Sequence, residues 1–134
     1  MKIINLVEDT AGDNGCIHEH GLSFYIETKK HKLLMDCGAT NMLLHNAKHL
    51  KVDLTQVDTV ILSHGHYDHS GGILSFAEVN PEADIYMKET AGDAYYHLTK
   101  SGEERLSGIC QFQGFRRFQA VSQQQAAPIY RGPA

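Results

Sequence analysis

The chain has 134 residues, 42% of them hydrophobic and 21% charged, and its formal net charge is −4 at pH 7. This length is typical of a single domain that buries its own core. Because the charge is mild, no basic stripe is present and no apolar stretch is long enough to cross a bilayer, we expect neither nucleic acid nor a membrane as a partner.

The first half of the chain alternates between strand and helix patterns. Its opening apolar run, Ile3–Val7, predicts a strand, and the glycine- and aspartate-rich residues 9–15 predict a loop. Two further strand patterns, Leu22–Thr28 and Lys32–Met35, predict a hairpin. From Thr40 to Leu50 the apolar residues recur at helical spacing, so we expect a helix capped by one of its first two residues.

The second half begins with Thr59–Leu62, a short apolar run that predicts a strand covered on both faces. A short helix is expected from Ile73 onward, until Pro81 ends it. The remaining predicted elements are a strand at Ala83–Met87, a helix at Glu89–Leu98, and one or two strands within Ile109–Phe112 and Phe115–Val121. The polar residues 122–134 predict a loose tail, so we place one domain at 1–121.

The cysteines and the first residues bear on the cellular compartment. Three cysteines, Cys16, Cys37 and Cys110, are an odd number at scattered spacing, which predicts reduced thiols and not a disulfide framework. The short apolar run at the N-terminus is followed by Glu8 and Asp9, a pattern unlike a secretory signal. We therefore expect a cytoplasmic protein, in which Cys37 is a small buried residue.

The most informative segment is 63–72, which places three imidazoles and a carboxylate directly after an apolar strand. Residues two apart on an extended chain point to the same side, so His64 and His66 can converge on one cation. If the backbone turns sharply after them, Asp68 and His69 can address a second cation, and the flanking glycines permit such a turn. Two cations about 3.5–4 Å apart would activate a shared water. This mixed ligand set suits zinc, iron or manganese, and the spacing does not choose among them.

The histidines of the chain also allow three other interpretations. Histidines can cluster by chance on a solvated loop, but here four ligand-type residues would have to coincide at ordered spacing after a strand. His45 and His49 are four apart on the predicted helix and could bind a metal together, although a polar helix face is the usual explanation. A closed structural zinc site is disfavoured because no cysteine flanks the segment.

From Ile61 to Gly72 the sequence resembles the signature of the metallo-β-lactamase-fold hydrolases, His-x-His-x-Asp-His after a strand. Segments Glu19–Phe24 and Leu33–Gly38 resemble the subgroup that includes an archaeal dihydropterin/ribofuranosylaminobenzene-phosphate synthase. The resemblance runs from about Ile3 to about Phe118. It implies an α/β fold, the N-terminal half of a four-layer α-β-β-α sandwich, with a mixed sheet and outer helices.

The resemblance also implies roles for individual residues. His64 and His66 would hold the first metal, and Asp68 and His69 the second, with Asp68 also orienting the water as the catalytic residue. Asp36 would brace the histidine loop through hydrogen bonds without being a ligand. We therefore expect a metal-dependent hydrolase of a small molecule, such as a phosphate ester or a pterin-related compound, with up to two ions and zinc favoured over manganese or iron. No substrate-binding residue is assigned.

In one respect the chain departs from this family. Its members are about twice as long, and their remaining metal ligands come from the second half, whereas the only histidine here after His69 is His97. A second hypothesis is therefore a truncated, non-catalytic remnant, or a subunit whose metal site a partner chain completes. The uncovered face of the half-sandwich predicts a homodimer or a partner chain. The apolar side chains expected on that face include those of Leu22, Phe24, Val60 and Leu62.

Overall fold

The computed structural model describes residues 1–12, 14–92, 96–107 and 118–121. Within these ranges the chain forms strands and helices in alternation. The strands are β1 (Lys2–Val7), β2 (Ser23–Glu27), β3 (Lys32–Met35), β4 (Thr59–Ile61), β5 (Asp84–Lys88), β6 (Tyr96–Leu98), β7 (Glu104–Leu106) and β8 (Phe118–Val121). The helices are α1 (Met42–His49), α2 (Tyr67–Ser70) and α3 (Ile73–Val79), with 3₁₀ turns at Leu54–Gln56 and Glu89–Gly92.

Six strands form one mixed sheet in the order β1-β2-β3-β4-β5-β8. The first three are antiparallel neighbours, while β3, β4, β5 and β8 run parallel to one another. This confirms the expected α/β class with a mixed sheet. Strands β6 and β7 pair separately as a small antiparallel hairpin. Parallel pairing of β3 and β4 brings the carboxyl ends of both strands to the same edge of the sheet.

One face of the sheet builds the core. The strand register aligns Tyr25, Leu34, Val60 and Ile85 in one row, and all four are buried. They share a single hydrophobic cluster with buried residues of the two longer helices: Leu43, Ala47, Ile73 and Phe76. The helical pattern predicted around Thr40–Leu50 is therefore confirmed as α1, which buries its apolar side against the sheet.

The other face of the sheet carries apolar side chains that are open to solvent. Met35 and Ile61 lie next to each other in the register and are 36% and 41% exposed, and Ile3 is 56% exposed. Val60 and Leu62 were predicted on this face, and that was wrong, because they are only 0% and 3% exposed. Side chains alternate along a strand, so these two point to the helical side and Ile61 between them points away from it.

The region after β5 also differs from the prediction. A helix was expected at Glu89–Leu98, but the residues of this range that the structure describes form a 3₁₀ turn at Glu89–Gly92 and the strand β6 at Tyr96–Leu98. Hairpin pairing of β6 with β7 fixes residues 96–98 as a strand, and such pairing overrides a weak helix propensity. The predicted strand at Ile109–Phe112 lies outside the described residues, as does the predicted tail at 122–134. The domain boundary at 121 stays a prediction.

In the part of the chain that the structure describes, none of the helices has the length and apolar character needed to span a membrane.

Candidate metal centre

The histidine-rich segment begins where β4 ends, at the edge of the sheet where β3 also ends. Leu62 extends the strand by one residue, since its amide donates to the carbonyl of Tyr86 at 2.9 Å. The chain then turns, and α2 begins directly after His66. Asp68 and His69 lie on this helix, whereas His64 and His66 precede it.

Asp36 connects this segment to the end of β3. Its side chain is 1% exposed and its backbone has a φ of 57°, a left-handed conformation that aspartate tolerates better than most residues. Oδ1 accepts a hydrogen bond from the Ser63 amide at 2.7 Å. Oδ2 accepts from the Ser63 hydroxyl at 2.7 Å and lies 2.8 Å from Nδ1 of His69. One buried carboxylate therefore contacts both Ser63, where the segment begins, and His69 in α2.

These hydrogen bonds decide which ring nitrogens are available. Because Asp36 accepts the Nδ1 proton of His69, the lone pair of that ring is on Nε2. The hydroxyl of Ser63 donates to Asp36, so its oxygen accepts from Nδ1 of His64 at 2.9 Å. This again leaves the lone pair on Nε2, the form of imidazole that binds a metal. The tautomers follow from the hydrogen-bond network.

The three imidazoles of the segment lie against one another. The ring centroids of His64 and His66 are 4.6 Å apart, and those of His64 and His69 are 4.2 Å apart. Burial, and next the neighbouring rings of His69 and His66, lower the pKa of His64 below its ordinary value of 6.5. His64 is therefore held in the neutral form that coordination requires.

Asp68 lies at the mouth of this cluster, with its side chain 16% exposed. Its Oδ2 is 3.4 Å from Nε2 of His69. The short helix α2 is clamped by other loops, because the backbone carbonyls of Asp68 and His69 accept hydrogen bonds from the amides of Leu22, at 3.2 Å, and Cys37, at 2.7 Å. Cys37 itself is fully buried, and this burial raises the pKa of its thiol, as expected for a residue with a packing role.

Three imidazoles and a carboxylate are the types of ligand that a divalent metal such as zinc accepts in proteins. Within the described residues, however, no three His, Cys, Asp or Glu side chains already stand in the arrangement of a metal site. The alternative pair on α1 is not supported, because His49 uses its Nε2 in a 2.7 Å hydrogen bond with the carbonyl of Asn14. The candidate centre thus consists of His64, His66, Asp68 and His69.

Three polar residues near this centre were missed by the sequence analysis. Glu19 holds the loop after β3, since its carboxylate accepts from the amides of Ala39 and Thr40 and, at 2.6 Å, from the Thr40 hydroxyl. Asp9 lies 3.2 Å from Nδ1 of His20, and Nε2 of His20 lies 3.5 Å from Oδ2 of Asp68. In the sequence, the segment Glu19–Phe24 was noted only for its resemblance to a subgroup of the family. The contacts of Glu19, Asp9 and His20 join different loops, and no periodic pattern of residues reveals such contacts.

A cavity of about 390 Å³ opens beside Asp68 and His69. Asp9 and His20 line it from the other side. Gly21, which has a φ of 155°, lies directly against the backbone of Asp68. A larger residue would not fit there, because its Cβ would collide with the carbonyl oxygen of Asp68. The cavity is open to solvent, and the carboxylates of Asp9 and Asp68 and the imidazoles of His20 and His69 lie along it.

A family model described as the metallo-beta-lactamase superfamily matches residues 18–132 of the chain. The chain is similar to the 7,8-dihydropterin-6-methyl-4-(beta-D-ribofuranosyl)-aminobenzene-5'-phosphate synthase of Methanocaldococcus jannaschii, with 39% identity over 64% of this chain and 32% of that protein. It is also similar to a UPF0173 metal-dependent hydrolase of Staphylococcus aureus, with 32% identity over 67% of this chain and 37% of that protein. The chain therefore spans only about a third of the length of these curated relatives.

Solved structures show the same fold. The metallo-beta-lactamase SMB-1, bound to 2-mercaptoethanesulfonate, matches with a TM-score of 0.53 and 21% identity. The match covers 75% of this chain and 40% of that one. At this identity the likeness concerns the fold alone, and it agrees with the expectation of a partial α-β-β-α sandwich.

Proposed function

This chain belongs to the metallo-beta-lactamase superfamily, and we propose that it acts as a metal-dependent hydrolase. In this proposal His64 and His66 hold one divalent metal, and Asp68 and His69 hold a second. Zinc is the metal proposed, and manganese and iron are the alternatives, since all three accept mixed imidazole and carboxylate ligands. A divalent metal bound there supplies a water molecule whose pKa is lowered to near neutrality.

One observation carries the proposal: the buried Asp36 orients two rings of the segment at once. Its hydrogen bond to His69 and its link through Ser63 to His64 leave the Nε2 lone pairs of both rings available. Such carboxylate–histidine pairs tune metal ligands and fix their orientation. A solvated loop that binds no metal would not require a buried carboxylate to orient its histidine rings.

The chain's own residues then divide the work. Asp68, which opens onto the cavity, accepts a hydrogen bond from the attacking water and orients it. Asp36 keeps the protonated nitrogen of His69 turned away from the reacting atoms. The substrate proposed is a small phosphate ester or pterin-related molecule, a class suggested by the name of the archaeal relative.

A second proposal follows from two observations. The chain spans about a third of the length of its curated relatives, and the described residues contain no closed three-donor site. A non-catalytic member of the fold, or a subunit whose metal site a partner chain completes, is compatible with both. This alternative predicts substoichiometric metal and no turnover by the isolated chain.

Metal analysis combined with turnover measurements separates the two proposals. The purified chain, loaded with zinc, manganese or iron, is assayed on phosphodiester, lactone and thioester substrates beside His66→Ala, Asp68→Ala and the control His45→Ala, an exposed histidine of α1. The hydrolase proposal predicts about one or two ions per chain and turnover in the wild type and the control, with turnover lost in the two site variants. Wild-type protein that retains no metal, or that binds metal without turnover, contradicts it.

A further inference from the structure

Two histidines near Asp68 are held in the same way, although only one belongs to the histidine-rich segment. His69 has its Nδ1 2.8 Å from a carboxylate oxygen of Asp36. His20 has its Nδ1 3.2 Å from both carboxylate oxygens of Asp9. In each pair the carboxylate accepts a hydrogen bond from the Nδ1–H group, which leaves Nε2 as the nitrogen that can bind a metal.

Both Nε2 atoms point to the same oxygen. Oδ2 of Asp68 lies 3.4 Å from Nε2 of His69 and 3.5 Å from Nε2 of His20. For ligand bonds of about 2.0–2.2 Å, two ligands of a tetrahedral site lie about 3.3–3.6 Å apart. Both separations therefore have the length of an edge of a zinc coordination tetrahedron.

We infer that His20 is a further metal ligand, which completes the site of Asp68 and His69, and that Asp9 orients it. The inference rests on the proposed function, since it concerns the second of the two proposed metals. It assigns to this chain a third protein ligand from the loop before β2. A catalytic zinc site normally has three protein ligands and one open position.

The placement of the loop supports this role. Asp9 is tied to the segment it orients, because its Oδ1 also accepts a hydrogen bond from the Gly21 amide at 2.9 Å. The Leu22 amide donates to the carbonyl of Asp68, so the backbone after His20 is fixed to α2. All three proposed ligands line the same cavity.

A surface ion pair is the simpler explanation of the His20 contacts, but it accounts for less. The side chains of His20 and Asp9 are 65% and 62% exposed, and exposed ion pairs of this kind contribute little to stability. Stability alone therefore gives little reason for a ring placed between two carboxylates. The described donors do not yet enclose a common centre, so the inferred site requires these side chains to rearrange when a cation binds.

Metal affinity tests the inference without reference to catalysis. Zinc binding is measured by competition with a chromophoric chelator for the wild type, His20→Ala, Asp9→Asn and the control His18→Ala, an exposed histidine two positions earlier. We expect at least one bound equivalent to weaken by about tenfold or more in His20→Ala, and by about 10–100-fold in Asp9→Asn. The visible absorption of the cobalt-loaded protein should weaken in His20→Ala as a protein ligand is lost. His18→Ala should match the wild type.

The outcomes distinguish two kinds of failure. If the wild type binds metal and His20→Ala binds it equally well, the inference is wrong and the proposed function stands. If His18→Ala weakens binding as much as His20→Ala does, the effect belongs to the segment and the inference is likewise wrong. If the wild type binds no zinc, manganese or iron at all, the proposed function fails, and the inference fails with it.

Discussion

Oδ2 of Asp36 lies 2.8 Å from Nδ1 of His69, although 33 residues separate the two in the chain. Asp36 directly follows β3 and His69 lies in α2, and the parallel pairing of β3 with β4 brings the two segments together. The same carboxylate accepts two hydrogen bonds from Ser63. This buried group is the structural centre of the site.

Replacing Asp36 with asparagine should weaken the site without disturbing the backbone, since asparagine tolerates a positive φ. We expect metal affinity to fall by about 10–100-fold. The free energy of unfolding should fall by about 1.5–3 kcal/mol, as hydrogen bonds to a buried charge are lost. Chelator competition and urea denaturation measure the two effects.

Asp58→Asn is the matched control for this variant. Asp58 also faces a histidine, at 3.1 Å from Nδ1 of His31, but it precedes β4 at the opposite end from the histidine-rich segment. The Asp58→Asn substitution should leave metal affinity unchanged. Equal losses of affinity in both variants would show that Asp36 has no special relation to the site.

The pKa of His64 should lie below its ordinary value of 6.5 in metal-free protein, because burial and then the rings of His69 and His66 disfavour its charged form. In the unfolded chain the ring regains its ordinary pKa. The unfolded state therefore binds more protons between these two values, and the contribution of His64 to stability, present above pH 6.5, is lost as the pH falls through the folded pKa. NMR titration of the His64 ring measures the shift directly.

The variant His64→Gln provides the corresponding stability measurement. Its free energy of unfolding should decline less steeply than that of the wild type as the pH falls below 6.5. A His64 ring that titrates at or above its ordinary value would contradict the burial and the ring contacts described for this histidine.

Gly71→Ala should disrupt the packing that holds α2 in place. A Cβ at Gly71 would collide with the backbone carbonyl oxygens of Ala39 and Tyr67, and backbone atoms cannot move aside as a flexible side chain can. Overpacking of this kind costs about 1–3 kcal/mol. Gly12→Ala is the control, since the nearest atom to its Cβ would be the side-chain oxygen of Asn14 at 3.4 Å, and it should change stability by less than about 0.5 kcal/mol. Urea denaturation that ranks the two variants equally would contradict this packing.

The open apolar face of the sheet should bind a second copy of the chain. Ile61 lies 41% exposed in the same register row as Met35 and Tyr86, and contiguous apolar surface of this kind drives association. Light scattering coupled to size-exclusion chromatography should give a dimer mass for the wild type and a monomer mass for Ile61→Glu. Leu74→Glu, which changes a residue of α3 that is 50% exposed, should remain dimeric. A wild type that is monomeric at micromolar concentration would rule the dimer out.

Local patterns predicted much of the architecture. The apolar runs at Ile3–Val7 and Thr59–Leu62 and the helical spacing after Thr40 correspond to β1, β4 and α1. The helix predicted at Glu89–Leu98 was wrong, since Tyr96–Leu98 pairs with Glu104–Leu106 as a hairpin, and the pattern of residues 89–98 alone does not include that partner strand. The face to which Val60 and Leu62 point was also predicted wrongly, because a short apolar run does not reveal which side the helices cover.

The proposed donor set could be predicted from the sequence alone, because His64, His66, Asp68 and His69 are close enough along the chain for a single turn to gather them. The nitrogens that those rings present, and the groups that lie opposite them, became visible only in the folded chain. Asp36, Glu19 and the Asp9–His20 pair act through contacts between loops that the sheet brings together. Hydrogen bonds across such distances depend on strand order and register, and neither is written in any local spacing of residues.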